Sequence, residues 1–247
     1  MIGQVEKYLL NKIKQNGAIH LTLLDPEKTS PEAAAKTAHE AEKDGTAAIM
    51  VGGSTVTSSH QLENVVKSIK KAVKIPVILF PNNITGICRH ADALWFMSLL
   101  NSADPYFIIG AHILGAPLVK KFGLEPIPLG YIIAGEGGAA SLVGRAFPIP
   151  FDKPELAVAH ALAAEYLGMH FVYLEGGSGV QKSVPPSMIK MVKKVVAVPL
   201  IVGGGIRTRD QVRDIVNAGA DLVVTGNITE EDTGVRLREL ISGVRSK

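Results

Sequence analysis

The 247-residue chain has one cysteine, one tryptophan and no block of like charge, and each shortage removes a class of protein. With Cys88 alone, neither an intrachain disulfide nor a cysteine-only metal site can form, and a reducing, cytoplasmic setting fits best. The 26 Lys and Arg are scattered among 23 Asp and Glu, so the formal net charge of +3 builds no basic run, and nucleic acid is not an expected partner. Apolar stretches end after about eight residues at Gly, Pro or a charge, far short of the roughly twenty that a spanning helix needs. Met1–Lys7 carries no basic segment followed by an apolar core, so neither a signal peptide nor an anchor is expected, and no stable membrane insertion. The 7 histidines show no metal-ligand spacing. His20 and His170 sit inside apolar strands and read as satisfied core residues.

What the chain does have is glycine, 25 of them, several placed where apolar runs stop, at residues 52, 176, 203 and 226. The stretch Pro199-Leu-Ile-Val-Gly-Gly-Gly-Ile-Arg207 is a buried strand ending in three glycines, where backbone N–H groups can approach a ligand that a side chain would block. About twenty residues on, Asp221-Leu-Val-Val-Thr-Gly-Asn227 repeats the design. Two such strands side by side are how a (β/α)8 barrel builds a phosphate site after its last two strands.

The length is that of one such barrel, and a single domain spanning 1–247 is expected. An amphipathic helix over residues 4–15 should cover the barrel bottom. Strands are predicted over 18–24, 47–51, 75–80, 91–97, 125–133, 170–174, 199–203 and 222–224, alternating with helices. Residues 84–101 are less regular than a barrel helix should be, and Tyr106–Ile109 reads either as extended chain or as the opening of a helix through Val119. The glycine-rich 134–144 segment reads as a long loop, of the kind that is functional or disordered. A mean hydropathy of +0.22 is high for such a protein and fits a very buried core, an oligomer interface or an apolar groove.

All the glycine-marked strand ends fall on the C-terminal face, which is the active face of this architecture. Gly203–Gly205 are followed by a helix from Thr208, whose N-terminus adds partial positive charge. Tyr173-Leu-Glu-Gly-Gly-Ser-Gly179 places one carboxylate, one hydroxyl and three glycines together at the end of strand six. Glu175 there can accept hydrogen bonds from a sugar or glycerol hydroxyl, while Ser178 and the glycine amides hold an anion. Asp25 ends strand one before a proline; it reads either as a helix-cap residue or, with Ser54 on the neighbouring strand end, as a ligand for Mg2+.

These residues resemble those of the geranylgeranylglyceryl phosphate synthase family, related to the bacterial heptaprenylglyceryl phosphate synthases. The resemblance covers essentially the whole chain, through LTLLDPEK (21–28), IMVGGST (49–55), VILFPNNIT (77–85), YLEGGSG (173–179), VGGGIR (202–207) and VTGN (224–227). It implies an Mg2+-dependent prenyltransferase joining geranylgeranyl diphosphate to the C3 hydroxyl of sn-glycerol 1-phosphate, the first ether bond of archaeal membrane lipids. By position, Asp25 and Ser54 would hold the magnesium. Glycerol phosphate would sit on Tyr173, Leu174, Glu175, Gly176, Gly177, Ser178, Gly179, Gly204, Gly205, Gly226 and Asn227. The family also replaces one barrel helix by an extended segment near strand three, matching the irregular stretch after Ile84, and it forms dimers and larger rings.

Glu175 is expected to orient the acceptor hydroxyl and take its proton, with Asp25 and its metal on the opposite side of the barrel mouth from the triple glycine. A C20 tail needs an apolar channel, for which Ile84–Trp95, Tyr106–Ile109, Leu114 and Tyr131–Ala134 are candidates, Trp95 being a candidate limit on its length. Three rivals stay open: a different prenyl length, a phosphosugar isomerase or cyclase using Asp25 and Glu175 as an acid–base pair, and a barrel that binds a phosphorylated ligand without turning it over.

Overall fold

The computed structural model describes residues 2–55, 58–226 and 234–244. Eight parallel strands close in chain order into a barrel: β1 (Ile19–Leu24), β2 (Ala48–Val51), β3 (Val77–Leu79), β4 (Ala93–Leu99), β5 (Glu125–Gly137), β6 (Phe171–Ser178), β7 (Leu200–Gly203) and β8 (Leu222–Thr225). β8 pairs back onto β1, with Leu21 opposite Val224 and Thr22 opposite Thr225. The strands read as unbroken apolar runs because both faces are buried. Alternate side chains point inward, as Leu21, Trp95, Leu129, Phe171, Ile201 and Leu222 do, while Ile49, Leu94, Val172, Leu174 and Val223 pack against the surrounding helices.

Helices α2 (Pro31–Asp44), α3 (Ser59–Ala72), α4 (Ala111–Phe122), α6 (Pro154–Tyr166), α7 (Pro186–Lys193), α8 (Arg209–Asn217) and α9 (Val235–Gly243) form the outer layer. Their starts follow the local chemistry. Ser30 accepts a hydrogen bond from Ala33 N ahead of Pro31, and Thr208 with Gln211 closes a capping box at α8.

The β3–β4 connection has no helix, only a 3-10 turn over Ile84–Gly86. Asn83 accepts from Thr85 N at 2.7 Å and tightens the chain there. The outer faces of β3 and β4 are therefore covered at a distance, by α4, where Gly115 stands over Ile84 and Ile87. Tyr106–Gly110 forms a π turn that runs directly into α4, which settles the open reading of that segment.

The expected loop over 134–144 is ordered. β5 continues to Gly137 with an irregularity after Ile133, and α5 (Gly138–Val143) follows at once. Buried Asn101 explains the order: its side chain accepts from Ile133 N and donates to Ile133 O and Phe147 O, so the chain that returns through Ile149 is fastened beside the strand. The signal lay in a side chain 32 residues from Ile133, out of reach of local pattern.

At the opposite end, α1 (Gln4–Asn16) closes the barrel bottom with Val5 and Leu9 against the inner core. The Glu125 carboxylate accepts from Val5 N and Glu6 N, both at 2.8 Å, and so supplies a cap from another element where Gly3 offers no side chain. Glu125→Ala should destabilise the fold by about 1–2 kcal/mol, the usual worth of an N-terminal cap, read as a lowered midpoint in denaturant unfolding.

Candidate active site

A cavity of about 570 Å3 opens at the C-terminal ends of the strands. Its floor is inward side chains of the barrel, and its shape has two parts. One is polar and lies at the ends of β6, β7, β8 and β1, lined by Asp25, Glu175, Ser178, Gly204, Gly205 and Gly226. The other is apolar and passes outward through the gap left by the missing helix, between Ile84, Ile87, Phe96, Phe107 and Gly115.

Glu175 belongs to the polar part. The residue is 7 % exposed, and Gly177 N donates to its Oε1 at 2.7 Å. Burial raises its pKa, and the hydroxyls of Tyr173 and Tyr131, both donating to it, act with Gly177 N to pull it back. Those same tyrosines are held well above the phenol value, first by burial and then by the carboxylate beside them. Phe80 lies against both rings, stacked at 5.7 Å on Tyr173 and edge-on at 5.6 Å to Tyr131. The carboxylate is thus fixed by two rigid donors and one backbone N–H.

The triple glycine has a concrete cause. A Cβ at Gly203 would occupy the place of the Tyr173 hydroxyl, and one at Gly204 would meet the Glu175 carboxylate. Gly204 also has φ +84°, a conformation that L side chains rarely adopt. β7 therefore ends in glycine so that β6 can present its Tyr and Glu.

Asp25 accepts from Glu27 N at 3.0 Å and lies 3.3 Å from Lys28 Nζ. A Cβ at Gly53 would collide with its carboxylate, so the β2 end comes close to it there, and Ser54 follows on the cavity wall. Asn82 donates to Ser54 O at 3.2 Å and holds that loop. Among the described residues, Lys28, Arg207 and Arg236 are the Lys and Arg residues that line this cavity.

The structure brings together Asp25, Ser54, Tyr173, Glu175, Gly177, Ser178, Gly179, Gly204, Gly205 and Gly226 around the cavity. Leu174 points into the helix layer, and Gly176 packs against the Gly203 and Gly204 carbonyls, so neither lines it. Asn227 lies outside the described residues. Asp25 is not opposite the triple glycine: closure sets β1 beside β8, so a single strand separates the two. Of the channel candidates, Ile84, Ile87, Leu94, Trp95, Phe107 and Tyr131 line the cavity. Ile132 and Ala134 face the helices, and Ile109 and Leu114 are exposed. Trp95 is fully buried, edge-on to Phe171 at 5.2 Å in the barrel centre, so it bounds the cavity from below. His20 is a satisfied core residue, between Thr46 and Thr225. Tyr131 as a partner of Glu175 is the main residue that reading by motif misses; its inward parity with Leu129 and Ile127 was the available signal.

A barrel with glycine-edged turns and a buried carboxylate at its C-terminal face has the architecture of the phosphate-handling (β/α)8 enzymes. More narrowly, residues 11–244 match the PcrB family, and the chain belongs to it. It is similar to the geranylgeranylglyceryl phosphate synthase of Thermofilum pendens, with 57% identity over 96% of this chain and 92% of that one. The Pyrococcus abyssi protein of the same name is 51% identical over 99% of both. The crystal structure of (S)-3-O-geranylgeranylglyceryl phosphate synthase from Thermoplasma acidophilum in complex with its substrate sn-glycerol-1-phosphate superposes with a TM-score of 0.94 at 37% identity, over the full length of both chains. Likeness to a thiamine phosphate pyrophosphorylase of Pyrococcus furiosus, at 14% identity and TM-score 0.60, extends to the fold alone.

Gly203→Ala should displace the Tyr173 hydroxyl and lower kcat/KM at least about tenfold, while a thermal melt keeps a single cooperative transition. If Glu175 takes the acceptor's proton it must be ionised, so wild-type kcat/KM should fall on the acid side at a pH above the usual Glu value, because burial raises its pKa. In Glu175→Gln that acid limb should vanish together with most of the rate.

Proposed function

We propose that the chain transfers a geranylgeranyl group from its diphosphate to the C3 hydroxyl of sn-glycerol 1-phosphate, giving geranylgeranylglyceryl phosphate and diphosphate. The observation that carries this is one cavity lined both by a polar, glycine-edged end with a buried carboxylate and by an apolar groove. An isomerase or cyclase of small phosphosugars has no use for the groove that Ile84, Ile87, Phe96 and Phe107 line.

The acceptor phosphate rests on the N–H groups of Gly204, Gly205 and Gly226, with Ser178 and Gly179 beside it and the first turn of α8 adding favourable dipole. Glu175 then lies within the glycerol portion and accepts the C3 hydroxyl proton as the new C–O bond forms at the allylic C1. The C–O bond to diphosphate breaks, and its electron pair leaves with the diphosphate. Tyr131 and Tyr173 keep the carboxylate aimed and leave it one free lone-pair direction for the acceptor. The prenyl chain occupies the groove and excludes water from C1, which protects an allylic cation from hydrolysis.

Asp25 and Ser54 fit Mg2+ of the kind held mainly by substrate oxygens. One carboxylate and one hydroxyl lie at the mouth, closed around by Gly53, and no cluster of three His, Cys, Asp or Glu occurs among the described residues. When bound, the ion supplies neutralisation of charge on the leaving diphosphate. Lys28 and Arg207 add fixed positive charge at the same mouth.

The working form is a homo-oligomer in a reducing, cytoplasmic setting. Leu142 (82 % exposed) on α5 and Phe147 (74 % exposed) after it stand out with Ile109, Ile113 and Leu114, apolar area that a second copy would cover. No helix among the described residues is long and apolar enough to cross a membrane. The free Cys88 is buried, where burial pushes its thiol pKa up.

The test is turnover with a ladder of prenyl diphosphates from C10 to C35, using glycerol 1-phosphate as acceptor, with and without EDTA. The expected result is a maximum at C20, loss of product with EDTA that returns with Mg2+, and a fall of at least about a hundredfold in Asp25→Asn. Tight glycerol phosphate binding with no product from any prenyl diphosphate would overturn it in favour of a binding barrel.

A further inference from the structure

Four of the nine buried polar side chains among the described residues form one cluster away from the cavity's reacting groups: His20, Thr22, Thr46 and Thr225. His20 and Thr22 are on the outward face of β1, Thr225 ends β8, and Thr46 lies between α2 and β2. His20 Nδ1 is 3.0 Å from Thr46 Oγ1, and His20 Nε2 is 2.8 Å from Thr225 Oγ1. Thr22 donates to Thr46 Oγ1 at 3.1 Å, and Thr46 donates to the His20 carbonyl at 3.0 Å.

Counting protons fixes the direction of the chain. Thr46 has one hydroxyl proton and spends it on a carbonyl, which cannot donate back, so its lone pairs receive Thr22 and His20 Nδ1–H. His20 Nε2 is then unprotonated and accepts from the Thr225 hydroxyl. Full burial keeps the ring neutral, with its pKa pushed down to about 3, in agreement with that assignment. Apolar side chains would fill this seam without desolvation cost, so a fully satisfied polar network here is a device for fixing position.

What it fixes is the end of β8. Thr225 lines the cavity and is followed at once by Gly226. Its ladder partner on β1 is Thr22, the last pair before the chain leaves the barrel. Leu23 packs on the other side of Gly226. The His20–Thr225 hydrogen bond is thus a side-chain tether on the strand end that carries the β8 anion-binding turn. We propose that His20 is a positioning residue for the acceptor phosphate, holding the Thr225–Gly226 turn through this bond; the inference rests on the reading that the phosphate sits at Gly226.

The experiment compares His20→Leu, Thr225→Val, the double variant and His20→Gln with wild type, in KM for glycerol 1-phosphate, KM for geranylgeranyl diphosphate, kcat and Tm. His20→Leu and Thr225→Val should each raise the glycerol phosphate KM about tenfold, the scale of one partner lost from a buried hydrogen bond, with the prenyl diphosphate KM unchanged. The double variant should be no worse than either single one, because both remove the same bond. His20→Gln, which can still accept from Thr225, should recover part of the loss. An unchanged glycerol phosphate KM, or a fall in activity that follows only the folded fraction from the melt, overturns the proposal. Gly226→Ala separates the two levels. If it raises the glycerol phosphate KM while the His20 variants do not, the tether is wrong and the phosphate reading stands; if it leaves that KM unchanged, the phosphate reading itself fails.

Discussion

A carboxylate buried inside an apolar barrel is the constraint on which the site depends. Glu175 occupies an inward position on β6 where its neighbours up and down the barrel are Tyr173, Phe171 and Trp95. An ionised group there loses its hydration, a cost that must be met by donors already in place. Tyr131, Tyr173 and Gly177 N are those donors. Because they are rings and backbone, with little freedom to turn away, the carboxylate is held in one orientation before any ligand arrives.

From that requirement follows much of the sequence around it. Tyr173 can reach the Glu175 carboxylate only if its hydroxyl passes over β7, and a side chain at Gly203 would occupy that path. Gly204 must both clear the carboxylate and turn with positive φ. One run of glycines thereby leaves room for the acid on one side and, under the proposed reading, seats the acceptor phosphate on the other. Phe80, at the end of β3, packs on both tyrosines and links this polar end to the wall where the barrel lacks a helix.

Most of the barrel was legible in the chain because parallel strands buried on both faces announce themselves as short apolar runs stopped by glycine or proline. The position of the missing helix was legible too, since residues 84–101 lack a 3.6-residue apolar period. What escaped were features fixed by a single side chain distant in sequence. The ordered turn after Ile133 depends on Asn101, and the cap on α1 depends on Glu125, 119 and 120 residues from the N–H groups it serves. Among site residues, the glycines and Glu175 stood out by motif, whereas Tyr131 sits in an ordinary apolar run, and only inward parity distinguishes it. Leu174 and Gly176 lie within the right motif, yet strand alternation turns one outward and packing hides the other.

Closure of the barrel also changes where the two reacting ends lie. In chain order, Asp25 and the triple glycine are nearly the whole sequence apart, and a linear reading sets them across the mouth from each other. β1 pairs with β8, so Asp25 stands one strand from Gly204 and next to the turn at Gly226. Under the proposed reading, the leaving diphosphate and the acceptor phosphate then lie on one side of the mouth, close enough to repel. In that reading, positive charge at Lys28, Arg207 and Arg236, which line the cavity, together with the glycine N–H groups, would offset the repulsion. The prenyl chain must consequently leave in the other direction, toward β3 and β4. That is where the barrel has given up a helix.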